Sequence, residues 1–204
     1  QSPQIPNQPE TPGDSTFTTT LTLEKANEIL NILFFLPRSF EKVDAASEGL
    51  SNAQMGLGPD FCEVQLFVSD NPYQTIYCFL GLIESRIERA TSDALLRDEI
   101  QMSNLIMESL KQGAQEEGVN LQNTKISITY PAIGILAMLG EGSFSVEGFT
   151  FGFDTLWFRA GNAYVFIYSI YYSQDRTTLI PIAKQIEQRL AGYFNTTSPV
   201  TRSH

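Results

Sequence analysis

The sequence predicts an α+β fold: a mostly antiparallel sheet covered by helices on both faces, an α-β-α sandwich. Three observations carry this reading. Apolar, β-rich segments follow one another with turn signals between them, the order expected of hairpins. One long helical stretch interrupts them and a second closes the chain. The last hairpin is apolar on both faces, whereas a half-solvated strand pair would show one polar face.

The first element is a helix over 22–35, where Leu23, Ala26, Leu30, Leu33 and Phe34 recur at helical spacing behind Thr22 as cap. Pro37 ends it, and "RSFEKVD" (38–44) begins a strand. The glycine-rich stretch after it, up to Asp60, reads as a loop. "FCEVQLFVS" (61–69) and "QTIYCFLGLI" (74–83) alternate as strands around the turn "DNPY" (70–73). Residues 84–115 read as helix, with a break near 91–94 where Ser92 or Asp93 caps a second segment. Leu95, Met102, Leu105, Ile106 and Leu110 form its buried stripe, and Gly118 ends it.

Strands dominate the rest. "TKISITYPAIGILAML" (124–139) gives one strand, a break at Pro131, and a second. Residues 140–159 read as one long or bulged strand with bends at its glycines. "AYVFIYSIYYS" (163–173) is the last strand, and 176–194 the closing helix, with Ile182, Ile186 and Leu190 one turn apart and Pro181 in its first turn. Any even-length loop at "RAGN" pairs odd positions of one strand with even positions of the next. Phe151, Phe153 and Trp157 then share a face with Tyr164, Phe166, Tyr168, Ile170 and Tyr172. Leu156, Phe158, Ala163, Val165 and Ile167 take the other.

Residues 21–195 therefore form a single α+β domain. Residues 1–20, with four prolines and few large apolar side chains, read as a disordered tether, and 196–204 as a frayed tail. A Pro/Thr/Gln tether is what remains after a signal peptide or lipid-anchored leader is removed, so the expected location is extracytoplasmic, with any membrane anchor absent from this chain. With 13 Lys and Arg against 23 Asp and Glu, the net charge is −10. Such a surface repels phosphate backbones, which argues against nucleic acid and anionic membranes as partners. No apolar run reaches the roughly 18 residues of a membrane-spanning helix.

Chemistry is sparse. The sole histidine is His204, the last residue, which removes Ser-His-Asp and Cys-His mechanisms and most zinc sites. Neither GxGxxG nor GxxxxGK[ST] occurs in its proper setting, so no cofactor is expected. Cys62 and Cys78 flank the "DNPY" turn almost symmetrically, and a cross-strand disulfide and two buried thiols both remain open. Among the acids, Asp60 with Glu63, Glu84 with Glu88, Asp98 with Glu99, Glu116 with Glu117 and Glu141 with Glu147 are candidate pairs. Asp154 stands apart as a carboxylate on a buried strand, either a catalytic acid or one satisfied by Ser169 or by backbone. The aromatic set Phe153, Trp157, Tyr164, Phe166, Tyr168 and Tyr172 reads as core or as the wall of an apolar pocket.

In the C-terminal half, "LGEGSFSVEGF", "WFRAGNAYVFIYSIY" and "LIPIAKQIEQRL" resemble a run common in secreted bacterial domains, and "FFLPRSFEKVD" resembles a lead-in found upstream of it. The chain is similar in these motifs to extracytoplasmic domains of the PsbP/Mog1-like or LpqN-like α-β-α sandwich type. That resemblance implies a non-catalytic module that binds a protein partner or an apolar small ligand. The alternatives are a carboxylate-dependent, hydrolase-type enzyme using Asp154, and a structural component of the cell envelope.

Overall fold

A computed structural model of the chain describes residues 21–44, 61–83, 85–172 and 175–197. The expected tether, the loop between the first two strands and the far C-terminal tail lie outside the described residues. Seven strands form one antiparallel sheet: β1 (Phe40–Val43), β2 (Phe61–Asp70), β3 (Tyr73–Leu82), β4 (Gln122–Thr129), β5 (Leu136–Val146), β6 (Phe149–Ala160) and β7 (Ala163–Tyr171). Their spatial order is β1-β2-β3-β7-β6-β5-β4. The helices are α1 (Leu23–Leu30), α2 (Arg86–Arg97), α3 (Glu99–Glu116) and α4 (Leu179–Thr197), with a 3₁₀ turn at Leu33–Phe35.

The expected α+β sandwich is what forms. On one face, Phe67, Ile76, Leu80, Leu156, Phe158, Val165 and Ile167 pack against Ala26, Ile29 and Leu30 of α1 and Ile182, Ala183, Ile186 and Leu190 of α4. On the other, Met138, Phe144, Phe153 and Tyr164 meet Leu96 of α2 and Met102 and Ile106 of α3. The second layer is thin: Leu96 is the buried residue of α2, and Met102 and Ile106 those of α3. Hydrophobic burial scales with area, so α1 and α4 are held much more firmly than α2 and α3.

Turn chemistry sets the register. Ala160 pairs with Ala163 across a two-residue loop whose first member, Gly161, has φ 64°. Glycine supplies that conformation without a Cβ clash. Trp157 consequently faces Phe166 and Phe153 faces Ile170, the odd-with-even pairing expected of the loop.

Three expectations need correction. The helix of residues 84–115 breaks at Asp98, which ends α2 and caps α3 by accepting from the Gln101 N–H at 3.0 Å. Asp93 lies within α2 and spends its carboxylate elsewhere. The first helix stops at Leu30, and the following residues tighten into the 3₁₀ turn. Residues 140–159 are two strands, because Glu147 and Gly148 both take positive φ, 51° and 88°, and close a two-residue hairpin between Val146 and Phe149.

Candidate functional site

The six aromatic residues singled out from sequence fall on one face of the sheet, the face under α2 and α3, because they occupy odd positions of β6 and even positions in and just after β7. They do not form one wall. Phe153 is closed inside the core, 6.2 Å from Phe144 ring to ring. Phe166 is sandwiched between Trp157 at 4.1 Å and Phe79 at 5.3 Å. Tyr168 lies against Tyr77 at 5.9 Å, and burial holds its phenol well above the usual range, with the neighbouring Tyr77 adding to the rise. Tyr172 is out at the end of the sheet and 53% exposed.

Trp157 and Tyr164 instead floor a slot of about 110 Å³ between the sheet and the helix pair. Its walls are Ile83 after β3, Ser92, Leu95 and Leu96 of α2, and Met102 and Leu105 of α3. Sequence reading placed Leu95, Met102 and Leu105 on a buried stripe but had no signal that they stop short of the floor. Ile83 read only as the end of a strand and Ser92 only as a helix cap, so neither signalled a place in the lining.

A polar clasp stands beside the slot. Arg159 donates from Nε and Nη2 to the two carboxylate oxygens of Asp93, each at 2.7 Å, and from Nη1 to the Gly161 carbonyl at 2.7 Å. Such bidentate pairs are the strong form of charge-assisted hydrogen bond. The Tyr164 hydroxyl lies 3.1 Å from Asp93 Oδ1 and 3.2 Å from the Arg89 carbonyl. Burial, then the charge and hydrogen bond of Asp93, push the Tyr164 phenol well above its ordinary value. Arg89 in turn donates to the Ile83 carbonyl at 2.9 Å. Within the clasp, Arg159 and Asp93 cancel each other's charge.

Asp154, 2% exposed, lies on the opposite face. Its Oδ1 accepts from the Tyr171 hydroxyl at 3.0 Å and its Oδ2 from Arg176 Nε at 2.9 Å. Arg176 also donates to Glu141 at 2.9 Å and lies over the Tyr171 ring, 4.6 Å from its centroid. The expected bond to Ser169 is not the one that satisfies this acid. Ser169 stands opposite Asp154 in the register, but its hydroxyl accepts from Gln74 Nε2 at 2.9 Å. Gln74 Oε1 accepts from the Thr177 N–H, so this network ties the start of α4 to the sheet. Gly152 leaves the room it needs, since a Cβ there would collide with the Tyr171 ring. Glu141 is the register neighbour of Asp154, and Glu147 sits apart in the β5–β6 turn. Each charged group here has an opposite partner, the signature of a structural clasp rather than a poised catalytic acid.

Cys78 is a free, fully buried thiol, and burial raises its pKa far above the ordinary value. Its register partner is Gln65 rather than Cys62, because the turn centres on Asn71 and Pro72 and not on residue 70. The side chain of Cys62 lies outside the described residues. Among the described residues no group of three metal-ligating side chains comes together, and no helix is long and apolar enough to cross a membrane.

The described residues form an α-β-α sandwich with the slot between its sheet and one helix layer. No protein-family model matches the chain, and no curated protein matches it significantly. Among solved structures, the crystal structure of the extracellular domain of PknH from Mycobacterium tuberculosis is similar, with 9% identity and a TM-score of 0.46 over 87% of this chain and 98% of that one. The resemblance to PsbP/Mog1-like and LpqN-like domains rests on the quoted motifs alone.

Proposed function

We propose that this domain is a non-enzymatic, extracytoplasmic binding module whose ligand is a small uncharged apolar group seated over Trp157. The observation that carries the reading is the slot itself: about 110 Å³, floored by an indole and a phenol and walled by leucine, isoleucine and methionine. Drug-sized ligands fill roughly 300–1,000 Å³. What enters here is a single ring or the end of a short acyl chain, the size class that apolar cavities of about 150 Å³ accept. The lining is almost wholly apolar, so the shape of the slot rather than polar contacts orients it. The Arg159–Asp93 pair offers no net charge to an ionised headgroup, and the apolar lining disfavours burying one. The extracytoplasmic placement is supported by the Pro/Thr/Gln-rich residues 1–20. Against the hydrolase alternative, both oxygens of Asp154 are engaged by Tyr171 and Arg176.

Trp157 is the sole tryptophan, so its fluorescence reports occupancy directly. Titration with benzene, toluene, indole and C4–C6 alcohols, paralleled by thermal unfolding, is expected to shift emission and raise Tm, because a ligand at about 100-fold its Kd adds about 2.7 kcal/mol to the native state. Ser92→Phe, which fills the slot, abolishes both shifts in a chain that still folds. No response across the panel, or a response that survives Ser92→Phe, rejects the reading.

A further inference from the structure

Beyond the slot, the same face of the sheet ends in a strip of aromatic rings that α2 and α3 do not reach. Phe149 is 56% exposed, Tyr172 53% and Tyr73 45%. They stand on neighbouring strands: the Tyr172 N–H donates to the Tyr73 carbonyl at 3.2 Å, and the Tyr172 ring lies 6.4 Å from Phe149 and 5.5 Å from Phe151. Crossing β3, β7 and β6, the strip is about 10 Å wide, two strand spacings of about 4.8 Å. An exposed aromatic surface of this kind marks an interaction site.

The chain contains a segment of matching chemistry. Pro3, Pro6, Pro9 and Pro12 occur at every third position of "QSPQIPNQPETPGD". Three residues is the turn of a polyproline II helix, whose rise of about 3.1 Å per residue would set successive prolines about 9 Å apart on one side. Aromatic-lined surfaces bind such segments by packing rings against prolines, while tyrosine hydroxyls meet backbone carbonyls that have no internal partner. Glu10 is the one charged residue between Pro3 and Pro12, so the contact is apolar and hydrogen-bonded rather than ionic.

Reach decides whose segment docks. The Thr177 N–H bonds to Gln74 beside Tyr73, so α4 starts at the end of the sheet that carries the strip. Lys25 sits over the Tyr193 ring near the far end of α4, so α1 begins at the opposite end and on the opposite face. Leu179 to Tyr193 alone spans about 21 Å of helix. Pro12 is nine residues from the buried Leu21, a tether of at most about 30 Å. A path from one end of the sheet to the other and around its edge is longer. We propose that residues 3–12 of one copy dock on the Tyr73–Tyr172–Phe149 strip of a neighbouring copy. This is a head-to-tail contact, which propagates from copy to copy unless its rotation closes a ring.

The test compares the full chain with a full chain bearing Pro3→Ala, Pro6→Ala, Pro9→Ala and Pro12→Ala, and with one bearing Phe149→Ser and Tyr172→Ser, by sedimentation across protein concentration. The unaltered chain is expected to gain mass with concentration, and both variants to remain monomeric with unchanged Tm. A synthetic peptide of residues 1–14 dissociates the unaltered assembly and binds the proline-less chain, and Phe149→Ser with Tyr172→Ser weakens that binding about tenfold. Peptide binding that is absent, or indifferent to the Phe149 and Tyr172 changes, overturns the proposal. A full chain that stays monomeric while the proline-less chain captures peptide overturns docking between copies and assigns the segment to its own strip.

Discussion

Arg159, at the end of β6, grips both carboxylate oxygens of Asp93 at 2.7 Å, and this pair fastens α2 to the sheet. The side chains are 15% and 13% exposed. At that depth, removing one partner strands a charge with little water to receive it. With Leu96 as its buried anchor, α2 has little else to hold it.

Arg159→Ala or Asp93→Ala is therefore expected to cost about 2–3 kcal/mol. Hydrogen exchange should place most of the loss in α2, whose amides open without global unfolding. The double variant should be less destabilised than the sum of the singles, since removing both leaves no unpaired charge. Equal exchange gains in α2 and α4 would refute the assignment.

The second clasp predicts a contrast between two carboxylates on one arginine. Asp154→Asn takes from the half-buried Arg176 the more deeply buried of its two carboxylate partners and should cost about 2–4 kcal/mol. Glu141→Gln, at a side chain 41% exposed, should cost less than about 0.5 kcal/mol, as surface pairs do. Chemical denaturation of the two variants checks this. Near-equal losses would mean that Glu141 carries more of the Arg176 charge than its exposure implies.

How much of this was legible beforehand depends on distance along the chain. The two faces of the last hairpin could be read because a two-residue loop at Gly161 transmits odd-even alternation directly to the partner strand. The hairpin at Glu147–Gly148 was missed because its turn signal is a single glycine inside a run already rich in glycine. Asp154 was noticed as odd, yet its partners Tyr171 and Arg176 lie 17 and 22 residues onward. The register of β7 on β6 brings in Tyr171, and only the path of the chain after β7 brings in Arg176. The slot was invisible for a different reason. Its lining comes from β3's end, two helices, β6 and β7, and its volume reflects how loosely α2 and α3 are seated. Residue type does not encode that: Leu95 and Leu105 look the same whether or not they touch Trp157.

Cys78 gives a reactivity prediction. A thiol at 0% exposure with a strongly raised pKa offers neither access nor thiolate. In the folded chain it should resist an aromatic disulfide reagent at pH 8 for as long as the fold persists, and react at once in denaturant. The thiol count in denaturant without reductant also decides the pairing question: two thiols mean that Cys62 is free as well. Rapid labelling of Cys78 in the native state would contradict its burial.

Alkaline pH should destabilise the fold, and the sign follows from three phenols. Tyr164, Tyr168 and Tyr171 all have pKa values raised above the ordinary 10.0, first by burial, and then by Asp93, Tyr77 and Asp154 respectively. Below pH 10 these groups are protonated in folded and unfolded chains alike, and their contribution is intact. As pH climbs past 10 the unfolded chain releases protons that the folded chain retains, so the unfolded state gains and stability falls. Tm is therefore expected to be flat in this respect up to about pH 9.5 and to drop steeply above 10. Native phenolate absorbance should lag behind that of the unfolded chain, with Tyr164, Tyr168 and Tyr171 among the phenols held back, until both rise together at unfolding. Tyr171→Phe should shed part of the pH dependence at the cost of the Asp154 hydrogen bond. Native titration of all eight phenols near pH 10 without loss of Tm would show that these three are not sealed in the sheet.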